Sequence, residues 1–186
     1  MQLCLGRVAE ARATIAAVLA ASEDLGERRS RAYFLDSAAM IALVEGDLGA
    51  ARRFTAQAAE AAAGMAEPSL LADILLHRAL AGLAAGDIPA ARRDAERAAE
   101  HISRRGPGVS GGTLDAMAVT ACIALARGDT AGAAAGAATL AEQADSAGFV
   151  LWARAAQRIA ATAAAARAGT GPPDPCRYPA LIYVDR

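Results

Sequence analysis

The sequence predicts an all-α protein: a right-handed stack of about eight antiparallel helices built from repeated hairpins. Three observations support this. Glycines recur 40 to 42 residues apart, small residues stand at fixed distances from them, and alanine, the best helix former, fills 55 of 186 positions. A single hairpin cannot bury its apolar face alone, so repeated hairpins are expected to stack. The glycines are Gly6, Gly46, Gly86, Gly128 and Gly169.

Aspartate follows the glycine at three of these positions, as Asp47, Asp87 and Asp129. Glycine readily adopts the left-handed conformation that ends a helix, and an aspartate side chain accepts hydrogen bonds from the free N–H groups that begin one. Each Gly-Asp pair therefore predicts a tight turn between two helices. An alanine stands five residues after each of the first four glycines, and a small residue stands seven before each of the last four, which allows the two helices to approach closely.

The elements follow from these turns and from apolar residues at helical spacing, such as Phe34, Leu35 and Ile41 in the second helix. Glu67, Pro68 and Ser69 close the unit before the helix that starts at Leu70. The glycine-rich stretch 106–112 is the longest connector, and Thr113 or Ser110 can cap the helix that follows it. The predicted helices span residues 7–21, 30–45, 47–65, 70–85, 88–105, 113–127, 130–147 and 149–167.

The repeat domain is expected to cover residues 1–168, and residues 169–186 form a proline-rich extended tail or linker. Pro172, Pro173, Pro175 and Pro179 oppose helix formation in this tail. Residues 180–184 could extend as a strand or lie in a groove, and a linker is the preferred interpretation.

The first complete helix lacks a preceding partner in this chain. We therefore expect Ile15, Val18 and Leu19 to be partly exposed or covered by another chain, which allows a homodimer through this N-terminal helix. A piece of a longer array is the alternative.

Composition excludes several classes of protein. The net charge of −1 provides no field to recruit nucleic acid, so no direct nucleic acid binding is expected. Charged residues, among them Glu142 and Arg154, interrupt the most apolar stretch, which argues against a membrane span. The three cysteines lack metal or redox spacing, and no secretion signal is evident, so a cytoplasmic protein is expected. All 19 basic residues are arginine, which is typical of a high-GC bacterial coding sequence.

The pattern resembles the tetratricopeptide repeat, whose hairpins carry a small residue in the first helix, a Gly or Gly-Asp turn, and an alanine in the second. Ala79, Gly86-Asp87 and Ala91 match that pattern. The period exceeds the family's standard of about 34 residues, and the usual aromatic positions are mostly Ala or Leu. Longer alanine-rich repeats of this kind resemble the helical region of LuxR-class bacterial regulators with MalT-like architecture.

The resemblance implies that the first helices of the hairpins line a concave groove. That groove would be apolar, with Asp36, Asp73 and Asp115 near one rim, and could receive an apolar helix or an extended segment with a basic residue. Alternatively, its Leu and Met residues are simply core, and its aspartates cap or solvate helices. The expected lining residues are Tyr33, Asp36, Met40, Asp73, Leu76, Leu80, Asp115 and Cys122.

The implied function is protein or peptide binding, as the sensing or interaction domain of a bacterial signalling or transcriptional regulator. A free-standing receptor for a small molecule or peptide, using the same groove, is the alternative, and a helical enzyme is the third. His77 and His101 have no cysteine or second histidine at metal-binding spacing. We therefore predict no catalytic residue, no metal site and no cofactor.

Overall fold

The computed structural model describes residues 7–25, 27–104, 108–170, 174 and 177–183. The described residues are almost entirely helical. Eight long helices are followed by a π-helical turn, Ala166–Thr170, and by a short ninth helix. Their bounds are α1 Val8–Leu25, α2 Arg28–Glu45, α3 Leu48–Ala62, α4 Pro68–Ala84, α5 Ile88–Ser103, α6 Gly111–Ala126, α7 Thr130–Ser146, α8 Val150–Ala165 and α9 Tyr178–Tyr183.

The turns between the helices of each hairpin have the predicted chemistry. Gly46, Gly86 and Gly128 have φ angles of 79°, 77° and 78°, which side chains with a Cβ rarely adopt. The carboxylate oxygens of Asp47, Asp87 and Asp129 accept hydrogen bonds from the third backbone N–H beyond, at 2.8, 3.0 and 2.8 Å. These Gly-Asp turns are confirmed. Gly6 lies outside the described residues.

The helices pack in adjacent pairs and form two layers. The even-numbered helices contact one another in the order α2, α4, α6, α8, and α1, α3, α5 and α7 pack against their neighbours in the chain. We call the first set the even layer. The main core lies within and beside it, and a smaller apolar cluster links α2, α3 and α4 around Ala32, Ala58 and Leu70.

Alanine mediates the contact between the helices of a hairpin. Ala51, Ala91 and Ala133, the residues five positions after the turn glycines, are fully buried. A Cβ added to Gly82 of α4 would lie 3.4 Å from the Cβ of Ala91 of α5, so α4 and α5 already approach to contact distance. The short side chains predicted from the repeat therefore do set the spacing of the helices.

The helix α1 packs against α2 at the start of the chain. Ile15, Val18 and Leu19 are half-buried, in line with the expected partial exposure. Ile15 and Leu19 border a cavity of about 230 Å³ between α1, α2 and α3. The homodimer through α1 remains a prediction.

The C-terminal tail differs from the prediction. Instead of an extended linker, residues Tyr178–Tyr183 form α9, which contacts α2, α4, α6 and α8. Pro179 is compatible with this helix because it stands in the first turn, where its missing N–H has no intrahelical partner. Pro172, Pro173 and Pro175 lie outside the described residues. None of the described helices has both the length and the hydropathy that crossing a membrane requires.

Candidate functional site

The strongest candidate site is the face of the even layer on which α9 lies. Tyr178, Ile182 and Tyr183 are buried there and join the main core. Leu76 and Leu80 of α4 are fully buried in the same cluster. A segment that is distant in sequence from α2 and α4 therefore fills an apolar groove across four helices.

Arg158 of α8 holds the end of α9 by its backbone. Its Nε donates to the carbonyl oxygen of Leu181 at 2.9 Å, and its Nη2 donates to that of Ile182 at 3.3 Å. The last carbonyls of a helix have no intrahelical partner and carry partial negative charge. The guanidinium group donates hydrogen bonds to two of these carbonyls and places a positive charge beside them.

One end of the groove is polar and contains a buried ion pair. His77 of α4 and Asp36 of α2 are 7% and 6% exposed, and the His77 Nδ1 lies 2.7 Å from the Asp36 Oδ1. Burial alone would lower the pKa of His77. The charge of Asp36 and its hydrogen bond, with the charges of Asp115 and Asp73, outweigh burial and raise that pKa to about 9. The imidazole is therefore charged at neutral pH.

Asp115 of α6 lies in the same polar end. Trp152 Nε1 donates to its Oδ1 at 3.1 Å. Burial raises the pKa of Asp115 to about 6, although the charge of His77, the hydrogen bond from Trp152 and the nearby Tyr183 hydroxyl act in the opposite direction. Its carboxylate is thus less well stabilised than that of an exposed aspartate.

Tyr183 of α9 enters this polar end. Its ring meets the His77 ring edge-on, with the centroids 5.7 Å apart. Its hydroxyl is near the Asp115 carboxylate and interacts with its charge, but the two groups do not reach the geometry of a regular hydrogen bond. Burial and the negative charges of Asp115, Asp36 and Asp73 raise the pKa of Tyr183 well above its usual value.

The structure brings together the three aspartates expected at the rim, since Asp36, Asp73 and Asp115 all act on the charge of His77. Leu76, Leu80 and Cys122 are buried in the main core, which also includes the buried residues of α9. Met40 is half-buried against the same core, whereas Tyr33 packs against the smaller cluster. The expected lining residues therefore separate into a polar end, an apolar floor and one residue that faces another cluster.

Sequence reasoning missed five residues that shape this site: His77, Trp152, Arg158, Tyr178 and Tyr183. A signal existed for His77, because it follows Asp73 by four positions and therefore shares its helix face. The other four could not be assigned, because their partners lie 23 or more residues away or depend on the docking of α9.

The chemistry open to the described side chains follows from their burial and charge. No group of three or more potential metal ligands is present among them. Burial raises the pKa of the Cys122 thiol to about 12, so it is a poor nucleophile. The geometry provides an apolar trough, a clamp for a helix end and a pocket rich in carboxylates.

A second set of grooves lies between consecutive hairpins. In the groove between α1, α2 and α3, Phe54 and Ala38 both line the cavity. In the equivalent groove around α4, Arg78 forms a two-point contact with Asp94 at 2.7 and 2.5 Å. Around α6 the equivalent residues are smaller, and a largely apolar cavity of about 660 Å³ remains. The three hairpins thus fill the same groove to different extents.

No family model, curated protein or solved structure matches this chain. The likeness to tetratricopeptide repeats rests on the residues of the Gly-Asp turns and the alanines beside them.

Proposed function

We propose that the chain is a helical-repeat scaffold whose even layer binds a short helical segment of a protein or peptide. One observation carries this proposal: α9 already lies across the even layer as such a segment would. Its apolar side chains fill the trough, and Arg158 binds the backbone of its last turn. Helix-in-groove recognition uses the same two elements, apolar anchors along one face and a groove that accepts them.

The length of α9 supports this interpretation. A helix of six residues is unstable alone in water, because nucleation fixes several residues for very few hydrogen bonds. The groove must therefore supply most of the free energy that keeps α9 helical. A surface that orders one short segment of suitable pattern is suited to order another, so α9 acts as a resident occupant of the binding site.

The biological setting follows from the resemblance described above. We propose a cytoplasmic sensing or interaction domain of a bacterial signalling or transcriptional regulator, in which the partner segment competes with α9. A free-standing receptor for a peptide or small molecule would use the same groove. The two settings share one requirement: α9 must leave the groove when the ligand enters.

The experiment uses the full chain with residues 171–173 replaced by a protease site. After cleavage of the folded protein, a fluorescent peptide of residues 174–186 is added and its anisotropy is followed. We expect saturable binding as the labelled peptide exchanges with the resident segment. The matched control is the same peptide with Ile182→Asp, which places a charge in the apolar trough and should bind at least tenfold more weakly, roughly the cost of one buried side chain.

Two results would contradict the proposal. One is retention of the cleaved segment with no exchange over days, because α9 would then be a permanent part of the fold. The other is equal binding of the wild-type and Ile182→Asp peptides, which would show that the labelled peptide binds elsewhere.

A further inference from the structure

We infer that the preferred ligand segment carries a lysine or arginine at the position that Tyr183 occupies in α9. The inference rests on the proposed function, because it concerns the same groove. It comes from the mismatch between the pocket and its present occupant.

The charges of the pocket are incompletely balanced. The opposite charges of Asp36 and His77 balance each other, with the His77 Nδ1 2.7 Å from the Asp36 Oδ1. Asp115 has neutral groups beside it, the Trp152 indole at 3.1 Å and the Tyr183 phenol. Within the part of the chain that the structure describes, no cation other than the already paired His77 is placed to offset Asp115. A buried carboxylate in this situation favours a ligand that brings positive charge.

Tyr183 fits this pocket imperfectly. Its side chain is 4% exposed, and among the described residues its hydroxyl reaches no partner with the geometry of a regular hydrogen bond. A buried hydroxyl of this kind loses its hydrogen bonds to water and regains them only in part. Tyr183 contacts the His77 ring and lies near the Asp115 carboxylate, but it brings no positive charge. Tyr183 thus fills the pocket but does not offset the negative charge of the Asp115 carboxylate.

A lysine or arginine at this position would both fill the pocket and offset the charge of Asp115. Its aliphatic stem can lie against the apolar side chains of the main core, where the Tyr183 ring now packs, while its charged end supplies several N–H donors to the carboxylates. Repulsion by the His77 imidazolium is offset because Asp36 is bonded directly to it. The weaker fit of tyrosine is consistent with this arrangement, because the ligand must bind more tightly than α9 in order to displace it.

The first test compares variants of the full chain at position 183. Tyr183→Lys and Tyr183→Arg are measured against Tyr183→Met, which has a flexible apolar side chain and no charge. Urea unfolding at pH 7.5 is followed by the fluorescence of Trp152, the one tryptophan of the chain, which lies against Asp115. We expect the folding equilibrium constant of the Lys and Arg variants to exceed that of the Met variant by roughly tenfold, the usual scale of a charge-assisted hydrogen bond.

Two further measurements assign this advantage to Asp115. In an Asp115→Asn background the ratio between the Lys and Met variants should fall to about threefold or less, since the charge pair is gone. At pH 5 the ratio should also shrink, because Asp115 takes up a proton below about 6. A Met variant as stable as the Lys and Arg variants at pH 7.5, or a ratio unaffected by Asp115→Asn, overturns the inference.

The second test does not depend on how the variants fold. Peptides of residues 174–186 carrying Tyr, Lys, Met or phosphotyrosine at position 183 compete for the cleaved protein described above. The lysine peptide should displace the labelled segment at the lowest concentration, and the phosphotyrosine peptide at the highest, because its charge faces Asp36 and Asp115. If the tyrosine peptide competes as well as the lysine peptide, this inference fails and the proposed function stands. If no peptide exchanges, the proposed function itself fails.

Discussion

The two faces of the even layer are built in different ways. Toward α3, α5 and α7, each hairpin uses the same small residues, and Ala51, Ala91 and Ala133 are all fully buried. On the face toward α9, the corresponding positions differ more: Asp36 on α2 corresponds to Leu76 on α4, and His77 on α4 to Val119 on α6, although Asp73 and Asp115 share a position. The repeated face packs the hairpins together, whereas the varied face is the one for which we propose ligand binding. Packing between hairpins can thus be kept while the other face changes.

The largest expected effect comes from breaking the buried pair on the varied face. Asp36→Ala leaves His77 buried without its partner, and we expect a loss of about 3 kcal/mol in the free energy of unfolding. Chemical denaturation measures it. The double variant Asp36→Ala, His77→Leu should recover most of this loss, because an apolar pair replaces the ionic one. A loss below about 1 kcal/mol for the single variant would show that the pair contributes little.

The charge of His77 predicts a pH dependence on the same face. Its pKa is raised from 6.5 to about 9 in the folded protein, so its stabilising effect is complete below pH 6.5 and is lost as the pH rises through 9. The free energy of unfolding should fall by roughly 3 kcal/mol across that interval, since each pKa unit corresponds to about 1.4 kcal/mol. His77→Gln should flatten the profile. His101→Gln, which changes the other histidine, is the control and should leave it intact.

On the repeated face, the free energy of unfolding should depend on the size of the buried side chains instead of on charge. Ala133→Leu on α7 forces a larger side chain into a fully buried contact, and we expect a loss of about 1–3 kcal/mol. Ala138→Leu on the same helix is the matched control, because Ala138 is exposed and should tolerate leucine within about 0.5 kcal/mol. Thermal or chemical unfolding distinguishes the two variants. Equal stability would contradict the close approach of the helices at Ala133.

The smallest expected effect concerns the Gly-Asp turns. Asp87→Ala removes the side chain that accepts from the Ala90 N–H at 3.0 Å, which should cost about 1 kcal/mol. Glu96→Ala on the same helix removes an exposed ion pair with Arg92 and should cost about 0.5 kcal/mol or less. If Asp87→Ala is no more harmful than Glu96→Ala, the capping role of the aspartate is wrong.

The turns and the alanine contacts could be predicted because both depend on neighbouring or regularly spaced residues. A glycine followed by aspartate predicts a turn between two helices from local sequence alone. An alanine at a fixed distance after the glycine occurs in all three of these turns. The docking of α9 could not be predicted in the same way. Its stability comes from partners distant in sequence, such as His77 and Arg158, and the four prolines of the tail suggested an extended chain. Pro179 misled the interpretation because proline opposes helix in the interior but not in the first turn.

The sequence by itself determined the all-helical class, the positions of the hairpin turns and the small residues between paired helices. These depend on local backbone preferences and on a period that repeats along the chain. Tertiary structure alone decided that Tyr183 reaches Asp115, that Asp36 pairs with His77, and that the chain's own tail fills the groove. Contacts between residues more than 40 positions apart follow from how the hairpins and the tail are placed in space, and no local pattern encodes that placement.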